Sequence, residues 1–126
     1  MTEQAFGIDL LDRLRDQIEV DIETRASADA PPHRTIIWVV VDDRDRVLIR
    51  SYRGATARGY REATSGTQAA LVVGDEVVPV TVAHAGDEER VRACSVELER
   101  KYAGDPATSA MVRDEVLATT LELLPT

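Results

Sequence analysis

Residues 50–61 read RSYRGATARGYR, with four arginines and no acidic residue, inside a chain whose formal net charge is −8. An arginine fork matches two oxygens of a phosphate or carboxylate, a serine hydroxyl adds a donor, and glycine lets backbone amides approach an anion closely. Arg50, Ser51, Arg53 and Gly54 are therefore candidate anion ligands, with Arg50 and Ser51 placed ahead of Arg58. The same arginines read equally well as partners of surface carboxylates or as solvated cations. Tyr52, Tyr60 and Trp38 offer flat faces on which a conjugated ring stacks. Trp38, in the middle of an apolar run, reads as core, and Tyr60 is open to either role.

Other chemistries find no support. His33 beside two prolines and His84 at a strand end are far apart, with no Cys or His at metal-ligand spacing, so no metal site is expected. Cys94 falls on the inward stripe of a helix and reads as a buried, inert thiol. Asp42, Asp43 and Asp45 lack the spacing of a calcium loop and are expected to be solvated. Ser-His-Asp order, a G-x-S-x-G elbow and a P-loop are all missing, and no catalytic side chain is assigned.

The elements that must position these residues follow from periodicity. Ile8, Leu11, Leu14 and Ile18 recur at helical spacing, predicting a helix near residues 8–18. From Ile18 the period turns to two, which predicts a half-buried strand through Glu23, and a Pro31-Pro32 loop follows. Residues 35–41 (TIIWVVV) read as a single strand covered on both faces, and residues 47–52 return in an antiparallel hairpin. A short helical turn is expected over residues 60–65. Residues 68–73 and 77–83 flank Gly74 as a second hairpin, in which Pro79 must face an edge or bulge. A helix is predicted over residues 87–102, with acidic residues first and basic residues last, then a turn near 107–112 and a sixth strand over 117–124. Six mostly antiparallel strands with two main helices make an α+β chain, and curling into a barrel hides their edges.

The chain has 126 residues, 44% hydrophobic and 30% charged, enough for one globular domain spanning residues 1–126. Its acidic balance argues against nucleic acid or an anionic membrane as partner. The amino-terminal segment has no basic and apolar stretch of a secretory leader, the longest apolar run is far too short to span a bilayer, and one cysteine allows no intrachain disulfide. A cytoplasmic location is the expectation.

TIIWVVVDDRDRVLIRSYRG, GYREATSGTQAALVVGDEVVPVTV, ERKY and ATTLELLP together resemble a bacterial domain-of-unknown-function family related to the deazaflavin-dependent nitroreductases and FMN-binding split-barrel proteins. The resemblance implies a split β-barrel of the flavin-reductase and pyridoxamine-phosphate-oxidase kind. It also implies a homodimer with a flavin or deazaflavin held between subunits. By that resemblance Ser51, Arg50 and Arg53, with Gly54, stand where relatives hold the cofactor phosphate, and Tyr60 and Arg61 stand in place of an aromatic motif opening a short helix. The chain departs from the pattern in two places. A glycine- and lysine-rich loop is replaced by APPHR at residues 30–34, and paired glycines are reduced to Arg53 and Gly54.

Two functions follow as expectations. The first is an oxidoreductase that binds FMN or a deazaflavin at Arg50, Ser51, Arg53, Gly54, Tyr60 and Arg61 and passes hydride to a small organic acceptor. The second is a non-catalytic dimeric module, without a flavin cofactor, that binds another anionic small molecule or a protein partner.

Overall fold

The run TIIWVVV does not form one strand. In the computed structural model, which describes residues 5–66 and 68–126, it splits at Trp38 into β2 (His33–Ile37) and β3 (Val39–Val41). Met1–Gln4, the start of the segment read as lacking a leader, lie outside the described residues. β2 pairs antiparallel with β1 (Val20–Thr24), from Val20 opposite Ile37 to Thr24 opposite His33. β3 pairs instead with β4 (Val47–Ile49), with Val40 opposite Leu48. The full order is β2-β1-β5-β6-β7-β4-β3, through β5 (Ala69–Val73), β6 (Glu76–His84) and β7 (Leu121–Pro125), and every pairing is antiparallel. The first and last strands of that order are joined through one residue, so the sheet must curl until its two ends meet at Trp38. Seven strands replace the expected six, because one covalent strand serves both ends of the sheet.

Burial explains the split. On β3 and β4 the side chains of Val39, Val41, Val47 and Ile49 point into the main core, where they meet Leu11 and Leu14 of α1 (Ile8–Asp16). Val40 and Leu48 point the other way, into a second core with Cys94 and Leu98 of α3 (Glu88–Lys101), Tyr102 and Met111. Within the TIIWVVV run only β3 is covered on both faces. On β2, Ile36 is 66% exposed, so the expectation of a doubly covered strand fails for its first half. Full burial of a leucine such as Leu48 contributes about 1.5–3 kcal/mol, and the alternation places that gain on both faces of β3 and β4.

Helix boundaries also move. α1 stops at Asp16, where Gln17 is already extended, so Ile18 falls outside the helix and is exposed; Ile8, the first helical residue, is exposed too and does not join the buried stripe. α3 starts at N-cap Asp87, whose carboxylate accepts from the Arg90 N–H, and ends where Lys101 Nζ donates to Leu14 O and Val39 O at 2.7 and 2.6 Å. Burial lowers the Lys101 pKa to about 8. Two short helices, α4 (Thr108–Met111) and α5 (Asp114–Leu117), precede β7. Residues 117–120, expected to open the last strand, are instead helix end and turn, because Thr119 and Thr120 donate their hydroxyls to Val116 O and Leu117 O. Asp42 is likewise not solvated. It is buried in the β3–β4 turn and accepts from the Arg44 and Arg46 N–H groups and from Arg46 Nε. Pro79 lies opposite Ala70 on one side, while on the other the pairing of β6 with β7 reaches only to Val80, opposite Pro125, giving the free edge a residue without an N–H needs.

Candidate functional site

A groove of about 840 Å³ opens beside the Trp38 break, walled by β2, the end of β4, the loop that follows it, and α2 (Arg58–Ala63). Its apolar surface comes from Ile22, Ile37, Ile49 and Leu121. Trp38 lies on its wall and stacks on Tyr102 with centroids 3.9 Å apart and planes 3° off parallel. The Tyr102 hydroxyl donates to Ile18 O, which fixes the pair against the end of α1. α2 approaches β2 closely enough that a Cβ on Gly59 would lie 3.0 Å from Thr35 Oγ1, so glycine is what lets the helix form this wall. Ile18, Ile36 and Tyr52 line the groove and are 61%, 66% and 52% exposed, giving it an apolar rim.

The structure separates the sequence-predicted site residues. Arg50 is 4% exposed and its fork is committed to the protein. Nε donates to Thr120 Oγ1 at 2.9 Å, Nη1 to Ser95 Oγ at 2.8 Å and Met111 O at 3.1 Å, and Nη2 to Val91 O at 3.0 Å. All four acceptors are neutral, and burial lowers the pKa of this arginine. Ser51 donates its hydroxyl to Gly54 O at 2.7 Å, while its N–H is taken by Thr119 Oγ1 and the Gly54 N–H by Ser51 O. The loop after β4 is thus closed on itself, with Gly54 at φ 84. Arg53 lines the groove, is exposed, and has no hydrogen bond or ion pair among the described residues. Tyr60 lines the groove and packs against the main core. Arg61 is exposed on α2 and is not part of the groove wall.

Residues that the sequence reading ranked low, Arg58 and His33, or did not name, Thr24 and Glu62, complete the site. Arg58 donates Nε to Glu62 Oε2 at 2.9 Å, and the buried Thr24 hydroxyl donates to Glu62 Oε1 at 2.9 Å. The Arg58 hydrogen bond, helped by Thr24, holds the Glu62 carboxyl below its ordinary range against the opposing effect of burial. His33 Nδ1 lies 3.7 Å from Glu62 Oε1, is itself buried, and has no hydrogen-bond partner. Arg34, on the opposite face of β2, pairs with Glu23 at 3.1 Å. The i, i+4 spacing of Arg58 and Glu62 was a visible signal. The approach of Thr24 and His33 to Glu62 depends on the β1–β2 register and had none. Cys94 behaves as expected, with burial pushing its thiol up to about 11.

Among the described residues no group of three or more metal-ligating side chains occurs, and no helix is long and apolar enough to cross a membrane.

The curled antiparallel sheet with its flanking helices recurs in solved structures. ChuZ of Campylobacter jejuni superposes with a TM-score of 0.70 at 11% identity, over 98% of this chain and 55% of that one. The conserved hypothetical protein Rv2991 of Mycobacterium tuberculosis gives 0.69 at 13% identity, over 98% and 81%. The heme storage protein HutZ of Vibrio cholerae gives 0.67 at 10% identity, over 98% and 92%. At such identities the likeness concerns the fold. Residues 10–123 match the family described as an uncharacterised protein conserved in bacteria, DUF2255, and the chain belongs to that family. No curated protein matches the chain significantly.

Proposed function

We propose that this chain binds a planar, anionic small molecule in the groove beside Trp38. The observation that carries this reading is the juxtaposition of an apolar and aromatic wall with Arg53, a guanidinium that no described residue neutralises. FMN or a deazaflavin is the first ligand to test, as the resemblance to the deazaflavin-dependent nitroreductases and split-barrel proteins implies. Trp38 and Tyr60 would face the ring, and Arg53 would meet the phosphate. In its reduced form the bound ring would supply hydride to a small organic acceptor and be oxidised in turn, and the chain would bind it, orient it and exclude water. A second copy of the chain, closing over exposed Ile18, Ile36 and Tyr52, would complete the enclosure.

One observation favours the non-catalytic reading, in which the groove takes another anionic ligand. The donors expected to clamp a cofactor phosphate, namely the Arg50 fork, the Ser51 hydroxyl and the Ser51 and Gly54 amides, are engaged by protein acceptors. Titrating the purified protein with FMN and with a deazaflavin cofactor, followed by quenching of ligand fluorescence, separates the readings. Saturable binding that weakens in Arg53→Ala supports the flavin reading. Absence of binding by both assigns the groove to a different anion.

A further inference from the structure

We propose that the groove takes an iron porphyrin and that His33 supplies the protein nitrogen to its iron. The proposal rests on the reading of the groove as a site for a planar anion, and it names a ligand chemistry for it. His33 stands on β2 in the groove wall with a 31% exposed side chain, yet its Nδ1 is buried. The exposed part of the side chain therefore lies away from Nδ1, and Nε2 is the ring nitrogen assigned to the iron. Behind Nδ1 sits Glu62 Oε1, 3.7 Å away, and that carboxylate is held in place by Thr24 and Arg58. A carboxylate facing one ring nitrogen keeps the proton there and leaves the lone pair on the other, which is the arrangement that orients histidine ligands and raises their basicity. At 3.7 Å the separation is longer than a hydrogen bond, so the ring would have to turn on ligation for Nδ1 to donate to Glu62.

The surroundings choose among metals. A bare cation needs three or more protein ligands, and among the described residues no such group exists. Iron in a porphyrin brings four nitrogens of its own and asks the protein for one imidazole. The macrocycle also needs apolar walls, which Ile22, Ile37 and Ile49 provide, and a cation for its carboxylates, for which Arg53 is uncommitted. A flavin would leave His33 and its carboxylate without a role.

The test is a titration of the full chain with hemin, followed by the Soret and visible bands. The expected result is saturable binding with the band position and intensity of an imidazole-ligated iron. His33→Ala and the shape-retaining His33→Gln should each lose that signature and bind roughly tenfold or more weakly, and free imidazole added to His33→Ala should restore the bands. Glu62→Gln should shift the bands while leaving hemin bound, and His84→Ala, outside the groove wall, should match wild type. Circular dichroism of each variant confirms that the fold is retained. Unchanged bands in both His33 variants overturn the ligand assignment. Failure of wild type to bind hemin overturns the porphyrin, whereas hemin binding that Arg53→Ala leaves unchanged overturns the reading of the groove as an anion site.

Discussion

Arg50 was the leading anion ligand on sequence, and its environment predicts something different, a structural role that replacement by methionine would expose. Methionine keeps most of the apolar stem and removes four hydrogen bonds made by a guanidinium that is 4% exposed. Hydrogen bonds to a charged group contribute about 1.5–3 kcal/mol each, and relief from burying a cation without a carboxylate returns a large part of that sum. The Ser95 hydroxyl can turn elsewhere and Thr120 keeps its bond to Leu117 O, so the lasting losses fall on Met111 O and Val91 O. The net cost is about 2–4 kcal/mol. For a chain of 126 residues, roughly 4 °C of melting temperature accompanies each kcal/mol, which predicts a melting point lower by about 8–16 °C. Urea unfolding followed by the fluorescence of the sole tryptophan, Trp38 stacked on Tyr102, reads the loss directly. Arg50→Lys should recover only part of it, because one ammonium cannot reach four acceptors. A variant as stable as wild type within about 0.5 kcal/mol, with phosphate or FMN binding abolished, would refute the reasoning and return Arg50 to the ligand.

Arg53→Ala should behave in the opposite way, leaving the melting temperature unchanged while weakening a phosphate-bearing or carboxylate-bearing ligand by about 1–3 kcal/mol, with part of that loss mimicked in wild type by added salt. Unchanged affinity by titration counts against the rim as the anion contact. Cys94, with its thiol pushed up to about 11, should resist alkylation at pH 8 until denaturant is added, and rapid labelling of the native protein would contradict its buried position. Because its folded pKa is depressed, Glu62 contributes stability that is present above the ordinary glutamate value and lost as pH falls through the lower folded value. Glu62→Gln should flatten that acid limb, and identical pH–stability profiles for the two proteins would remove Glu62 from the account. Light scattering at micromolar concentration should show a dimer, and a monomer would leave the apolar rim of the groove without the second copy assigned to it.

What the sequence made legible was local. The hairpin around Gly74, the helix opened by Asp87 and the buried thiol on its inner stripe each follow from residues within one element. The break at Trp38 was not legible, since TIIWVVV is apolar throughout, and a run without period says nothing about where one neighbour strand gives way to another. The site residues that depend on the break were invisible for the same reason. His33 gains meaning only when β2 pairs with β1 and brings Thr24 beside it, with Glu62 arriving from α2. The arginine cluster shows the converse limit. Four like charges in twelve residues look like one electrostatic feature, yet β4 ends at Ile49 and α2 begins at Arg58, so the cluster spans a strand end, a loop and a helix. Arg50 turns inward to tie the sheet to α3, Arg58 is matched by Glu62, and Arg61 stands outside the groove wall. The local reversal of charge therefore reduces to a single uncommitted cation at the groove, Arg53, and the affinity of this groove for any anion depends on that one side chain and on what the aromatic wall adds to it.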